Sequence, residues 1–297
     1  MKIVYVAQHG AGGNEDERHV KEALQDLGHE VSEIYQRGSP AGVAKDADLL
    51  LFHHWYDVNQ SWFKTLPMPK VGWFFDKAWR GREIWLQQII PLCDLFFMTD
   101  ETWGRASGLP NVRFLRQGIG VRGEMQRGTP QPGKWPEIVF TGSPYGERAD
   151  WVRVMTARYG KRFGVVQGVH GRELYDLCET AKIIVAPPFP GDDGYDSNRI
   201  FLALGSGGFL IHPKHKWVGR EFTDGTHYVS YRSQSELDRL ITHYLDHPAE
   251  RDRIRLTGMR LMHDQFTYKH RVETLLKLCK RTIQGTQSPA RNTGKVE

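Results

Sequence analysis

Short apolar runs rich in β-branched and aromatic residues, KIVYVA, DLLLF, KVGWFF and DLFFM, alternate along the first third of the chain with segments whose apolar positions recur at helical spacing, EDERHVKEALQDLG and REIWLQQIIPLC among them. This alternation predicts βαβ units, a parallel sheet with helices on both faces, and a Rossmann-like first domain. Between Gln117 and Pro136 the sequence becomes QGIGVRGEMQRGTPQPGKWP, dense in glycine and proline and without apolar period, which predicts a linker or surface loop at a domain boundary. A second alternating series then begins: EIVFTG, a helix through ADWVRVMTARYG, RFGVVQG, a helix through RELYDLCETA, KIIVAPP, FLIHP, HYVSY and terminal helices. The expected division is therefore 1–118, 119–280 and a tail at 281–297 that has too little apolar content to pack.

A length of 297 residues suits two domains, and 39% hydrophobic with 25% charged residues excludes a disordered or fibrous chain. No apolar run approaches the roughly 20 residues of a membrane span, and the opening MKIVYVAQHG turns polar too early for a secretory signal, so a cytoplasmic location is expected. Cys93, Cys178 and Cys279 are odd in number and widely spaced, which points to buried thiols rather than disulfides or a zinc site. Charge is uneven: residues 1–120 hold 13 Lys and Arg against 15 Asp and Glu, and residues 121–297 hold 27 against 20. A basic second half suits an anionic ligand such as a nucleotide diphosphate, and equally a nucleic acid.

Four stretches carry candidate chemistry. In QHGAGGNEDERHV, strand KIVYVA ends in a glycine-rich turn before a helix, where backbone N–H groups can approach an anion; a tight βα turn is the competing reading, and His9 stands at the strand end where ligands are met. In KVGWFFDKAWRGREIW, Trp79 and Trp85 can stack on a sugar or base, Arg80 and Arg82 can hold an anionic acceptor, and Asp76 can bind an acceptor hydroxyl or take its proton; Asp76 as a helix N-cap is the alternative. The same applies to HHWYD, residues 53–57, at the preceding strand end.

In VFTGSPYGERADW, a strand ends at Gly142, and Arg148 early in the next helix can meet a phosphate or simply face solvent. In YDSNRIFLALGSGGFLIHP, Asp196, Ser197 and Asn198 can cap a helix anchored by Ile200, Phe201 and Leu204. That would leave Arg199 and the helix start for a diphosphate, with Gly205, Gly207 and Gly208 making a close turn into FLIHP. No metal-ligand spacing, G-x-S-x-G or P-loop stands out, so metal-dependent chemistry is not indicated.

With GGNEDERHVKEALQDLGHEV, GWFFD, FTGSPYGER, SNRIFLALGSGGFLIHP and FTDGTHYVSYRSQSELDRLITHYLDHPAERDRI running into FTYKHRVETLL, the chain resembles the GT-B glycosyltransferases, specifically the CgeB-like (spore maturation type) group of the group 1 glycosyl transferases. The resemblance reaches to about residue 280. It implies an α/β protein of two Rossmann-like domains facing across a cleft, with a nucleotide-diphosphate sugar, most simply a UDP-sugar, as co-substrate on the second domain and the acceptor on the first. No permanently bound cofactor is implied. By position in the motifs, Gly12, Gly13, Gly142, Ser143, Arg148, His170, Ser197, Asn198 and Arg199 would bind the donor, and the helix near Tyr268 would cross back to the first domain. His9, Trp79, Arg80 and Arg82 would stand on the acceptor side, with Asp76, Arg148 and Arg199 as the catalytic set in a retaining, metal-independent transfer. Many relatives carry a glutamate at the position of Leu202, associated with the donor ribose, and leucine cannot accept that hydrogen bond. The acceptor is a glycan, protein or small-molecule hydroxyl, or a hydroxylated DNA base as in phage-type enzymes. A nucleotide-sugar-binding protein without catalysis is the reading from a different class, motivated by Leu202.

Overall fold

The computed structural model describes residues 1–7, 15–35, 45–79, 81–120, 133–169, 171–188 and 197–286. The apolar runs become two all-parallel sheets. The first contains β1 (Lys2–Ala7), β2 (Glu30–Tyr35), β3 (Leu49–Phe52), β4 (Lys70–Phe74), β5 (Leu95–Met98) and β6 (Val112–Phe114) in the order β2-β1-β3-β4-β5-β6. The second contains β7 (Ile138–Thr141), β8 (Phe163–Val166), β9 (Ile183–Val185), β10 (Leu210–Pro213) and β11 (Val229–Tyr231) in the order β11-β10-β9-β7-β8. In the first sheet β1 pairs with both β2 and β3, Ile3 facing Val31 and Leu49; in the second β7 pairs with both β8 and β9, Ile138 facing Phe163 and Ile183.

Parallel neighbours need crossovers, and helices supply most of them. α1 (Glu15–Asp26), α2 (Gln60–Lys64), α3 (Arg82–Ile89) and α4 (Glu101–Ala106) lie in the connections of the first sheet; α5 (Glu147–Tyr159), α6 (Gly171–Thr180), α7 (Arg199–Gly205), α8 (Val218–Glu221) and α9 (Gln234–Asp246) serve the second; α10 (Pro248–Gln265) and α11 (Tyr268–Thr286) follow. Local chemistry starts several of them. Asn59 and Asp100 accept the backbone N–H of Trp62 and Trp103 to cap α2 and α4, and Pro248 opens α10 where its missing N–H costs nothing. α11 runs to Thr286, beyond residue 280 where the sequence places the start of a tail. Among the described residues, no helix is long and apolar enough to cross a membrane.

Each sheet is buried on both faces, as a parallel sheet requires. Tyr5, Leu51, Trp73 and Phe97 point into one cluster of the first layer, and Phe52, Phe63, Phe74 and Phe96 into the other. Val139, Ile184 and Leu210 lie on one side of the second sheet, Phe140, Val185 and Phe209 on the other. Tyr268, Val272, Leu275 and Cys279 of α11 belong to the first layer's core, so the last helix returns to the layer where the chain began. The chain therefore passes between the layers twice, and the two passages touch. Ile119 N–H donates to Phe266 O at 3.1 Å and Tyr268 N–H to Ile119 O at 2.9 Å. Glycine at 118 is what permits this, because a Cβ there would stand 2.7 Å from Phe266 O and 2.9 Å from Tyr268 N.

The three cysteines are free and buried, and burial pushes the thiols of Cys178 and Cys279 up to about 12. His53, just past β3, is fully buried and donates Nδ1–H to Trp73 O at 2.7 Å. Burial, with His54 adding to it, drops its imidazole from 6.5 to about 3. Unfolded His53 therefore takes up a proton near pH 6.5 and folded His53 only near 3. Stability is complete above pH 6.5 and is lost as the pH falls toward 3, by about 1.4 kcal/mol per unit. Replacing His53 by Gln is expected to remove about 2 kcal/mol of the loss between pH 7 and pH 5, read as a flatter pH dependence of urea unfolding. An unchanged slope would show that His53 is not the group taking up the proton.

Candidate active site

In open parallel sheets, ligands bind beyond the carboxyl ends of strands whose connections leave in opposite directions. The strand orders place such points between β1 and β3 in the first sheet and between β7 and β9 in the second. The two edges meet: Asn198 Nδ2–H donates to Asp16 Oδ2 at 2.9 Å, joining the first turn of α1 to the residue before α7. The sequence assigned Asn198 to capping α7, but its side chain makes no cap bond and reaches across to the other layer instead.

On the second-layer side, Arg199 Nε–H donates to Thr141 O at 2.6 Å, at the end of β7, and its Nη1 reaches Ser197 Oγ at 3.3 Å. The guanidinium lies 5.0 Å from the Phe140 ring centroid. It also crosses Gly142 so closely that a Cβ there would stand 2.6 Å from Nη2 and push the guanidinium aside, and the backbone itself, with φ +139°, favours glycine. Gly142, Ser197, Asn198 and Arg199, four residues chosen from two separate motifs, are thus brought together at the β7 end. Arg148 lies in the first turn of α5 with its guanidinium 4.7 Å from the Tyr145 ring, and Ser143 is exposed in the turn before it. Glu147 and Asp150 share that first turn, so the α5 terminus is less electropositive than its position alone implies.

On the first-layer side, Asp76 follows β4 but does not cap α3, whose N-cap is Gly81 with φ +86°. Asp76 Oδ2 accepts from Arg82 Nη1 at 2.6 Å, so the charge of Arg82 is matched internally rather than held open for an anionic acceptor. Trp79 is half-buried with Lys77 Nζ 5.6 Å from its ring, while Trp85 packs against the Phe74 side of the core and touches Tyr56 edge-on at 4.9 Å. Tyr56 is 41% exposed, and burial of the rest raises its phenol to about 12, which keeps the O–H available as a donor.

His54, in the turn after β3 and within the HHWYD stretch the sequence points to, completes this edge together with two groups the motifs do not single out, Asp16 and Glu17 in the first turn of α1. The signal for His54 was present in HHWYD directly after an apolar strand, and that for Asp16 and Glu17 in the acidic pair following the glycine-rich turn. Of the sequence-predicted residues, His9, Gly12, Gly13, Arg80, His170 and Asp196 lie outside the described residues. Among the described residues, no group of three or more His, Cys, Asp or Glu is placed to hold a metal ion.

Comparison with known proteins agrees with this arrangement. Residues 133–277 match a family model described as glycosyl transferase-like. Sucrose-phosphate synthase from Thermosynechococcus elongatus has a TM-score of 0.67 at 13% identity, over 96% of this chain and 99% of that one. HepE of Anabaena in complex with UDP and glucose gives 0.59 at 11%, over 94% and 99%, and the β-glucosyltransferase of phage T4 gives 0.62 at 12%, over 95% and 99%. At these identities the likeness establishes the fold: two parallel α/β sheets with helices, the GT-B arrangement. No curated protein matches the sequence significantly. With a glycosyl transferase-like domain in its second half and the GT-B fold over its length, the chain is an enzyme of the glycosyltransferase class.

Proposed function

We propose that this protein moves a sugar from a UDP-sugar to an acceptor hydroxyl, with retention at the anomeric carbon and without a bound metal, and that it stands with the CgeB-like group. The observation that carries the reading is Arg199, tied by Thr141 O and Ser197 Oγ over Gly142 at the β7 end, beside the Asn198–Asp16 bond that joins the layers. As the anomeric carbon leaves the diphosphate oxygen, the bonding pair goes with the diphosphate, and the acceptor oxygen forms the new bond while its proton passes to the departing diphosphate. The charge that builds there needs fixed donors. A preorganised guanidinium supplies this without reorganising, and Arg199 is held in that way, with Arg148 as the second cation. UDP as the nucleotide is supported by HepE, whose structures hold UDP or UDP-glucose within a similar fold. The first layer, with Asp76 and the Tyr56 and Trp79 rings, takes the acceptor, and the domain division follows the two sheets.

The test is thermal unfolding with UDP, GDP, dTDP and their sugars in the presence of EDTA. UDP at 100 times its dissociation constant is expected to stabilise the fold by about 2.7 kcal/mol. If no nucleotide diphosphate raises the unfolding temperature, the reading fails. Stabilisation without release of UDP from any donor would favour the binding protein without catalysis.

A DNA-base acceptor has one observation in its favour: the exposed Tyr56 ring, Trp79 and Lys77 rim the Asp76 edge, as stacking on an extruded base would require. It demands duplex binding that weakens steeply with salt, and salt-independent or absent binding removes it.

A further inference from the structure

His54 occupies a position that costs the fold something to maintain. Its φ is +27°, the only non-glycine positive value among the described residues. A residue held in a sparsely populated region persists only where its surroundings over-determine it. Here the surroundings are specific. The ring is buried, edge-on to Phe74 at 4.9 Å and stacked beside Tyr56 at 6.0 Å. Nε2 accepts the backbone N–H of Phe75 at 3.4 Å and lies 3.8 Å from Asp76 Oδ2, and Nδ1 lies 3.8 Å from Glu17 Oε1. Glu17 is itself 1% exposed and sits on α1 beside Asp16, whose carboxylate reaches the second layer. The imidazole is thus placed between a buried carboxylate and the half-exposed Asp76, at the β1–β3 ligand-binding edge.

The geometry points to His54 as the positioning residue for the acceptor hydroxyl, an inference that rests on the glycosyl-transfer reading above. Arg82 holds Asp76 at Oδ2 from α3, while His54, in the turn after β3, accepts the N–H of Phe75 and so fixes the backbone of the residue just before Asp76. With Oδ2 held, Oδ1 accepts the hydrogen bond of the acceptor hydroxyl as it binds and aims its oxygen at the anomeric carbon; that bond is given up when the proton passes to the departing diphosphate. Glu17 Oε1 lies on the far side of the imidazole, and the Phe74 and Tyr56 rings pack against the ring itself. His53 does not share the role, because its ring is fully buried in the core with Nδ1 bonded to Trp73 O.

The experiment uses water as the acceptor, so the natural one need not be known. Release of nucleoside diphosphate is measured from UDP-glucose, UDP-galactose, UDP-N-acetylglucosamine, GDP-mannose and dTDP-glucose, and the donor the parent hydrolyses fastest is carried forward. His54→Asn tolerates a left-handed backbone but removes the ring. It is expected to lower kcat roughly 100-fold, the cost of misplacing a reacting group by about 1 Å, while KM for the donor and the thermal shift with the matching nucleotide stay at parent values. His54→Gly should show the same loss, with partial recovery on adding free imidazole, which a purely structural role would not give. Parent-like kcat in His54→Asn would overturn the inference and leave the function standing, as would loss of nucleotide binding in parallel with turnover. A parent that hydrolyses no donor and binds no nucleotide would overturn the function itself.

Discussion

Arg199→Ala is expected to lower sugar transfer by about 100- to 1000-fold, with a smaller loss in nucleotide affinity, because a fixed donor aimed at developing charge acts mainly in the transition state. The magnitude follows from how the guanidinium is held. Nε is committed to Thr141 O, Nη1 to Ser197 Oγ, and the plane lies against Phe140, so the group has no conformational search left to make when the diphosphate departs. Arg199→Lys should recover little of the loss. A lysine ammonium is a point charge on a flexible stem and cannot hold the Thr141 carbonyl and face the cleft together. Removing the side chain also forfeits about 1 kcal/mol of hydrogen bonding and cation–π contact, which urea unfolding measures separately. Steady-state kinetics of UDP release, paired with UDP titration, decides the matter: a variant with unchanged kcat would place the leaving group elsewhere.

Glu221→Ala is expected to destabilise the protein by about 3–5 kcal/mol. Glu221 ends α8 in the second layer and receives two arginines, Arg116 Nη1 at 3.3 Å from the passage between layers and Arg271 Nη2 at 3.1 Å from the first turn of α11. The Arg116 side chain is 3% exposed and that of Arg271 11%. Burial holds the Arg271 guanidinium below its ordinary range, and Glu221 is the carboxylate that opposes the shift. Without it, two guanidiniums face each other in a region of poor screening. Arg271 also donates Nε–H to Gln117 O at 3.0 Å, so the damage reaches the point where both passages touch. Glu221→Gln, which keeps an acceptor oxygen and loses the charge, should fall between. A urea midpoint for the alanine variant within experimental error of the parent would show that the trio is solvated and contributes little.

Much of the fold was readable in the chain. KIVYVA, DLLLF, KVGWFF and DLFFM became β1, β3, β4 and β5, and the five runs of the second half became β7 to β11. The strands that no run announced are β2 and β6, and both are sheet edges: β2 is EVSEIY with no fully buried residue, and β6 is the three-residue VRF. These two edge strands bury too little to need an apolar run. The candidate site was legible in part. Gly142 and Arg199 stood out in separate motifs, and the structure places one against the other. Arg82 was read as an open cation and is paired with Asp76.

Most elements and both layers were determined by the sequence alone, because the continuous apolar run of a strand buried on both faces and the 3.6-residue period of a helix are local properties that the side chains must follow. Which polar groups meet was decided only by the tertiary structure. Asp16 and Asn198 stand 182 residues apart, and Arg116 and Glu221 stand 105 apart. His54 meets Glu17 and Asp76 only because β1, β3 and β4 lie side by side. Crossover connections bring such groups together, and a crossover leaves no periodic trace at its two ends.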